Sequence, residues 1–168
     1  KNKHETIKGK RYSAGDALYR VNDDIDSVYF ILSGMVKIQT LLPNGKARIV
    51  RLHGKGSFLG FDGLLAQKNR HTAIAIGPVI VAKLPLGSMW ELEQSSPEQY
   101  CRILKEVYQH LVLADTWIAE FSTGSVKSRV ARLLTFLSDI EFGEHSKHVE
   151  LLKNQEVADI LGITPESA

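Results

Sequence analysis

Apolar and polar positions change their period once along the chain, near Pro85. Before it, β-branched and aromatic residues gather in short runs that end on turn chemistry. Ser27-Val-Tyr-Phe-Ile-Leu-Ser33 stops at Gly34, and Val36-Lys-Ile-Gln-Thr-Leu-Leu42 stops at Pro43-Asn44-Gly45-Lys46. Ala47-Arg-Ile-Val-Arg-Leu52 resumes the pattern, so Asn44-Gly45 is predicted as a hairpin turn in which glycine accepts a positive φ at little cost. Two more runs, 71–76 and 79–84, are joined by the turn signal Gly77-Pro78. Several short strands at this spacing predict a jelly roll or barrel.

After Pro85 the period becomes helical. Pro97 suits a first helical turn, where its missing N–H has no partner to lose, and Ser95 or Ser96 can cap it. Beyond it Tyr100, Leu104, Val107, Leu111, Ala114, Ile118 and Phe121 recur at alternating four- and three-residue steps, the spacing of a two-helix seam. A second stripe, Ile103, Leu113 and Trp117, lies off that seam and is expected to pack on the sheet domain. A helix apolar on two faces needs two partners. Gly124 is the expected left-handed stop. Another amphipathic helix follows, with Val126, Val130, Leu133, Leu134, Leu137 and Ile140 on its apolar face, then a loop at 143–146 and a strand-like piece at 148–152. From Asn154, read as an N-cap, a short helix runs to Leu161 before Gly162.

Composition narrows the function classes. The 168 residues are 43% hydrophobic and 24% charged, as in ordinary globular chains, and carry a net charge of +2. The single cysteine, Cys101, makes no intrachain disulfide, holds no iron–sulfur cluster alone and fits a reducing compartment. The longest uncharged apolar stretch, 74–82, is broken by Gly77 and Pro78 and falls short of the roughly 20 residues a bilayer requires. The polar opening Lys1-Asn2-Lys3 has no signal-peptide character, so a cytoplasmic protein without membrane contact is expected, and the absent initiator Met suggests a trimmed chain. Enzyme motifs are missing: there is no phosphate-binding loop ending in Lys-Ser/Thr, no Gly-x-Ser-x-Gly, no His-Glu-x-x-His and no Cys-x-x-Cys. A non-enzyme is expected; a metal-dependent barrel enzyme would need a histidine set that His53 and His71 do not supply.

The end of the chain carries the most specific spacing. Close crossing of two short helices favours a small residue, a glycine four positions later and an apolar residue beyond, and Ala158, Gly162 and Ala168 fall at those places. The order β-roll, heptad helix, short helix, hairpin, helix-turn-helix resembles the cyclic-AMP receptor protein and fumarate-nitrate regulator (CRP/FNR) superfamily of bacterial transcription regulators. The resemblance covers nearly the whole chain. It rests on Tyr12-Ser-Ala-Gly-Asp16, Val28-Tyr-Phe-Ile-Leu-Ser-Gly34, Lys37-Ile38 with Asn44-Gly45, Phe58-Leu-Gly-Phe-Asp-Gly63 and His71-Thr-Ala73. It continues through Val126-Lys-Ser-Arg-Val-Ala-Arg-Leu-Leu134, Asn154-Gln-Glu-Val-Ala158 and Gly162-Ile-Thr-Pro-Glu-Ser167.

The resemblance implies a ligand cassette, and this sequence departs from it. Cyclic-nucleotide-binding members use a Gly-Glu pair for the ribose and, about ten residues on, Arg-Ser/Thr-Ala for the cyclic phosphate, since a buried phosphate needs a cation and hydrogen bonds. Here Gly60 is present but Phe61 replaces the glutamate, and Thr72-Ala73 are present but His71 replaces the arginine. Arg70 is one residue early, which in a strand points it to the other face. Phe58, Gly60, Phe61, Gly63, His71, Thr72 and Ala73 are therefore the candidate pocket for an effector other than cyclic AMP, its identity open. Gly60-Phe61-Asp62 resembles the oxygen-sensing branch, whose cluster needs several cysteines. His53, His71 and His110 are conceivable haem ligands, but no metal-type spacing links them, and packed or surface histidines are preferred; His145 and His148 read as a solvated turn. Phe61, Trp90 and Trp117 read as core before they read as an aromatic pocket.

DNA contacts are implied only where residues match. Thr164, Glu166 and Ser167 match the start of the family's reading helix, and the arginine that follows in the family would lie beyond Ala168, so the chain is expected to be cut within that helix. From Ser125 onward five basic residues, Lys127, Arg129, Arg132, Lys147 and Lys153, face seven acidic ones, Asp139, Glu141, Glu144, Glu150, Glu156, Asp159 and Glu166. The resulting −2 disfavours phosphate attraction by this segment.

These readings converge on an α+β chain: a β-roll sensor (double-stranded β-helix or jelly roll) at 1–95, a dimerisation helix at 96–124 and a partial winged helix-turn-helix at 125–168. The expected protein is a homodimeric regulator that reads palindromic duplex DNA, works with RNA polymerase and answers to an unidentified small effector. The alternative is an effector-binding module that acts on a protein partner without touching DNA.

Overall fold

The structure, a computed structural model, describes residues 9–141 and 152–167. Eight strands come first: β1 (Gly9–Tyr12), β2 (Ala17–Tyr19), β3 (Ser27–Ser33), β4 (Val36–Leu41), β5 (Ala47–His53), β6 (Phe58–Leu59), β7 (Thr72–Ala75) and β8 (Val79–Pro85). They form two antiparallel four-stranded sheets, ordered β1-β8-β3-β6 and β2-β7-β4-β5, which is the expected jelly roll. The five runs with clear periodicity became β3, β4, β5, β7 and β8. The remaining strands, β1, β2 and β6, are only 4, 3 and 2 residues long, too short to carry a period.

Alternation along the strands builds the interior. Val36 and Ile38 of β4, Ala73 and Ala75 of β7, and Val79 and Val81 of β8 are each two apart, all turn inward, and all are buried. The predicted hairpin turn joins β4 to β5 in one sheet, with Gly45 at φ 78°. Gly77-Pro78 instead carries the chain between sheets, since β7 pairs with β4 while β8 pairs with β3. Gly34 lies at the same corner with φ 85°, and a side chain there would overlap the Pro78 carbonyl oxygen.

The helical region opens with two helices, α1 (Leu86–Ser95) and α2 (Pro97–Ser122), separated at Ser96. Pro97 starts α2 as expected, and the Ser96 carbonyl accepts from the N–H groups of Gln99 and Tyr100. Gly124, with φ 87°, follows the end of α2 as foreseen. Next come α3 (Val126–Glu141), α4 (Asn154–Leu161) and a 3-10 turn at Pro165–Ser167. Of the strand-like piece at 148–152, residues 148–151 lie outside the described residues, as do the loop at 143–146 and with it His145.

Three sequence expectations are corrected. Phe121 leaves the seam: it is 1% exposed and packs edge-on against Trp117 and Phe136, with ring centroids 4.8 and 5.5 Å away. The helix's last turn faces α3, so its apolar residue fills the chain's own core. Leu134 is 51% exposed, while Leu133 and Leu137 are buried and Phe136 packs beside them, so the buried face of α3 is rotated away from Leu134. Lys153, not Asn154, is the N-cap of α4, and the Glu156 carboxylate accepts the Lys153 N–H at 3.1 Å in place of an asparagine cap.

One cluster ties the parts together: Met35, Ile49 and Leu52 of the β-roll, Trp117 and Phe121 of α2, Leu133 and Leu137 of α3, and Ile160 and Leu161 of α4. A smaller one seats Ile103 of α2 on Val28 and Met89. Ile103 and Trp117 of the second stripe thus face the sheet domain, and Leu113 between them is half-buried. No described helix is long and apolar enough to cross a membrane.

Candidate effector site

The chain leaves β6 at Gly60, whose φ of 86° turns it into a short 3-10 helix at Phe61–Leu64. A side chain at Gly60 would press on the Ser27 carbonyl oxygen at 2.9 Å, so glycine is required by both conformation and space. Gly63 is similarly enclosed by Ile25 and Leu86. This turn brings Phe61 and Asp62 to the side of the roll where β5 and α2 meet.

A continuous row of rings crosses the region. Phe30 of β3 lies 4.7 Å from Phe58, Phe58 lies 5.6 Å from Phe61, Phe61 lies 5.7 Å from His110 on α2, and His110 lies 4.8 Å from His53 on β5. The row links the cassette turn to the long helix through side-chain contact alone. Inside it sits a cavity of about 30 Å³, lined by Tyr19, Ile38, Arg51, His53, Leu59, Gly60, Phe61, Asp62 and His110. That is room for a water molecule, not a nucleotide. Outside it, between the cassette and α2, a groove of about 360 Å³ is lined by Arg51, Phe61, Asp62, Leu65, Ala66, Arg70, Val107, His110, Leu111 and Ala114. Arg51, Phe61, Asp62 and His110 belong to both linings, so they form the partition between cavity and groove.

The electrostatics favour neutral imidazoles. Burial above all, with His110 and Arg51 beside it, holds His53 well below its ordinary range. His110 is pushed down to about 4 by burial and then by Arg51, with Asp62 opposing. His71 is lowered by burial first and by Arg51 and Arg70, again against Asp62. Burial also raises the Tyr19 hydroxyl. His71 Nδ1 is buried without a hydrogen-bond partner.

Only part of the sequence-derived pocket lines these spaces. Gly60 and Phe61 line the inner cavity. Phe58 supports Phe61 from behind, Gly63 packs under the turn, and the Thr72 hydroxyl accepts the Val21 N–H at 3.1 Å and so ties down a loop. Ala73 is fully buried, paired with Ile38 across the sheet. Arg51, Asp62 and Tyr19 were missed, and His53 and His110, for which ordinary packed or surface positions were preferred over haem ligation, were not placed in the pocket. One signal was available: Arg51 and His53 are two apart on a strand, hence on one face. The approach of His110, from a helix far along the chain, had no sequence signal. Among the described residues no group of three or more His, Cys, Asp or Glu stands together as a metal site.

The seam residues of α2 divide by burial. Leu104, Leu111 and Ile118 are 48%, 61% and 64% exposed, while Tyr100, Val107 and Ala114 are half-buried. At the other end, α4 is docked on the β-roll. Lys37 Nζ on β4 meets Glu156 Oε1 at 2.6 Å, Arg129 donates to the Leu161 carbonyl at 2.9 Å, and Arg48 of β5 lies against the Gly162 turn. Burial and the neighbouring Arg129 lower Arg48, with Asp159 opposing. Gly162, with φ 65°, donates to the Ala158 carbonyl at 2.8 Å, closing α4. Thr164, Glu166 and Ser167 lie beyond it on the outside of the molecule, where the Thr164 and Ser167 hydroxyls meet at 3.1 Å. Glu166 is held below its ordinary range by a backbone hydrogen bond and by Thr164.

Residues 9–96 match the family model of the cyclic nucleotide-binding domain. Over 162 residues the chain is 30% identical to the transcriptional activatory protein AadR of Rhodopseudomonas palustris, covering 94% of this chain and 66% of that protein. The structure of FixK2 from Bradyrhizobium japonicum superposes with a TM-score of 0.83 at 19% identity, over 95% of this chain and 79% of that one, a likeness of fold. A CRP/FNR-family transcriptional regulator from Thermus thermophilus superposes with a TM-score of 0.72 at 27% identity, over 95% and 81%. The chain spans about two thirds of the length of curated regulators such as AadR.

Proposed function

Because the chain belongs to the cyclic nucleotide-binding domain family, in its CRP/FNR branch, we propose that it is the sensor, dimer helix and part of the DNA-reading unit of a transcription regulator. Its division is 1–95 for the sensor, 96–124 for the dimer helix and 125–168 for the DNA-reading part. The observation that carries this reading is the shared core, in which β-roll, α2, α3 and α4 contribute to one cluster. The β-roll and the helix-turn-helix are thus in side-chain contact, the route by which a change in one is passed to the other in a ligand-controlled regulator.

Two copies pair through the exposed stripe Leu104, Leu111 and Ile118, and a two-fold protein reads a palindrome. Thr164, Glu166 and Ser167 open the segment that reaches base edges. The effector is not cyclic AMP: Phe61 fills the ribose-binding position of the family cassette, His71 stands at the phosphate-binding one, and the inner cavity holds no more than water. The intact protein is expected to prefer a palindromic duplex over a scrambled one of equal length, with a preference that changes with effector. Equal binding to both duplexes would remove the regulatory reading and leave the second one, a module controlling a protein partner.

A further inference from the structure

The groove between the cassette turn and α2 has a charge arrangement that the sensor reading does not by itself explain. Arg51 and Arg70 line it, and among the described residues neither enters an ion pair. Arg51 is half-buried and Arg70 exposed, so it is Arg51, a guanidinium partly withdrawn from water with no ion-pair partner, that an arriving anion would satisfy, with Arg70 at the open side adding a second donor. Asp62, the one acidic lining residue, reduces this positive character without cancelling two guanidinium groups. His71, within electrostatic reach of Arg51, Asp62 and Arg70, has a buried Nδ1 with no partner. The remaining wall is apolar: Phe61, Leu65, Val107, Leu111 and Ala114. Leu65 is 97% exposed at the rim, so its side chain has nothing packed on it.

We propose that this groove binds a small organic carboxylate, its anionic end held by the Arg51 and Arg70 guanidinium groups and its apolar body lying against Phe61, Val107 and Ala114. This deepens the sensor reading and rests on it. The cation comes from β5 and from the loop before β7, in place of the cassette position occupied by His71. A neutral or cationic effector would leave the half-buried Arg51 with Asp62 as the one acidic residue lining the groove. The bound molecule would press on Phe61 and His110, the partition that connects the cassette to α2.

The test uses the full chain with four probes, benzoate and hexanoate and their uncharged counterparts benzamide and hexanamide, followed by calorimetry and thermal melting. The expected result is saturable binding and a raised melting temperature with at least one carboxylate and none with its amide. Arg51→Gln and Arg70→Gln each weaken the carboxylate at least tenfold, and Arg51→Lys, which keeps the charge but not the two-pronged geometry, falls between. Melting of the unliganded variants establishes that they fold, and a variant that does not fold is replaced by the lysine form. Equal binding of acid and amide, no binding of either acid, or undiminished acid binding by the double Arg51→Gln, Arg70→Gln variant would overturn the proposal. Failure here with palindrome preference intact removes only this inference. Carboxylate binding without palindrome preference removes the regulatory reading instead.

Discussion

The imidazole of His110, midway along α2, lies 4.8 Å from that of His53 at the end of β5, and this contact joins α2 to the β-roll. One ring belongs to the helix with the exposed apolar stripe Leu104, Leu111 and Ile118, and both line the small cavity inside the β-roll. Both are kept neutral by burial, so the contact behaves as an apolar aromatic pair near neutral pH.

Acid should separate them. Both histidines have folded-state values below the ordinary 6.5, His110 at about 4, so the unfolded chain binds more protons as pH falls through that interval. The stabilising contribution of His110 is complete above about 6.5 and declines toward 4, at no more than about 1.4 kcal/mol per pH unit and less where solvent screens the ring, and that of His53 declines in the same direction. Chemical denaturation at intervals between about pH 7.5 and about pH 4.5 measures the slope, and His110→Phe should flatten it while keeping the ring contact. An unchanged slope in that variant would refute the assignment.

Lys37 and Glu156 are separated by 119 residues in sequence and joined at 2.6 Å, with side chains 16% and 12% exposed. A pair this enclosed stands between exposed pairs and buried ones, so a double-mutant cycle with Lys37→Met and Glu156→Gln should give a coupling of about 2 kcal/mol. Since Glu156 also caps α4, Glu156→Ala should cost about 1 kcal/mol more than Glu156→Gln. A coupling near zero would mean that α4 is not fastened to the β-roll at this point.

Leu111 and Phe121 were alike in the heptad and differ in the fold. Leu111→Asp should give monomers by sedimentation, with a melting temperature lowered only by the loss of the partner, as its side chain is 61% exposed on the single chain. Phe121→Ala should cost about 3–5 kcal/mol through loss of its contacts with Trp117 and Phe136. Unaltered sedimentation of the Leu111 variant would count against the seam.

Two left-handed glycines provide an internal comparison. Gly45 has open space around a would-be side chain, so Gly45→Ala should cost only the conformational penalty of about 1–2 kcal/mol. Gly34 adds overlap with the Pro78 carbonyl and contact with Val79, and Gly34→Ala should be clearly the more damaging in denaturant titrations. Equal effects would show that the corner relaxes freely.

Periodicity by itself determined the five longer strands, the hairpin turn at Gly45, the helical region after Pro85 and the two-faced character of α2, because side-chain alternation is a local property. The departure from the cassette, Phe61 and His71 in place of glutamate and arginine, was legible only through the family resemblance. Tertiary structure decided the rest. Leu111 and Phe121 are both large apolar residues of one heptad seam, and only the placement of α3 buries the second and leaves the first exposed. Arg51, His53, Asp62 and His110 come from a strand, a turn and a helix, and no rule of spacing connects residues that meet only when those elements pack. The sequence specified which side chains each element presents; which of them face one another was fixed by how the sheet closed and where α2 lay across it.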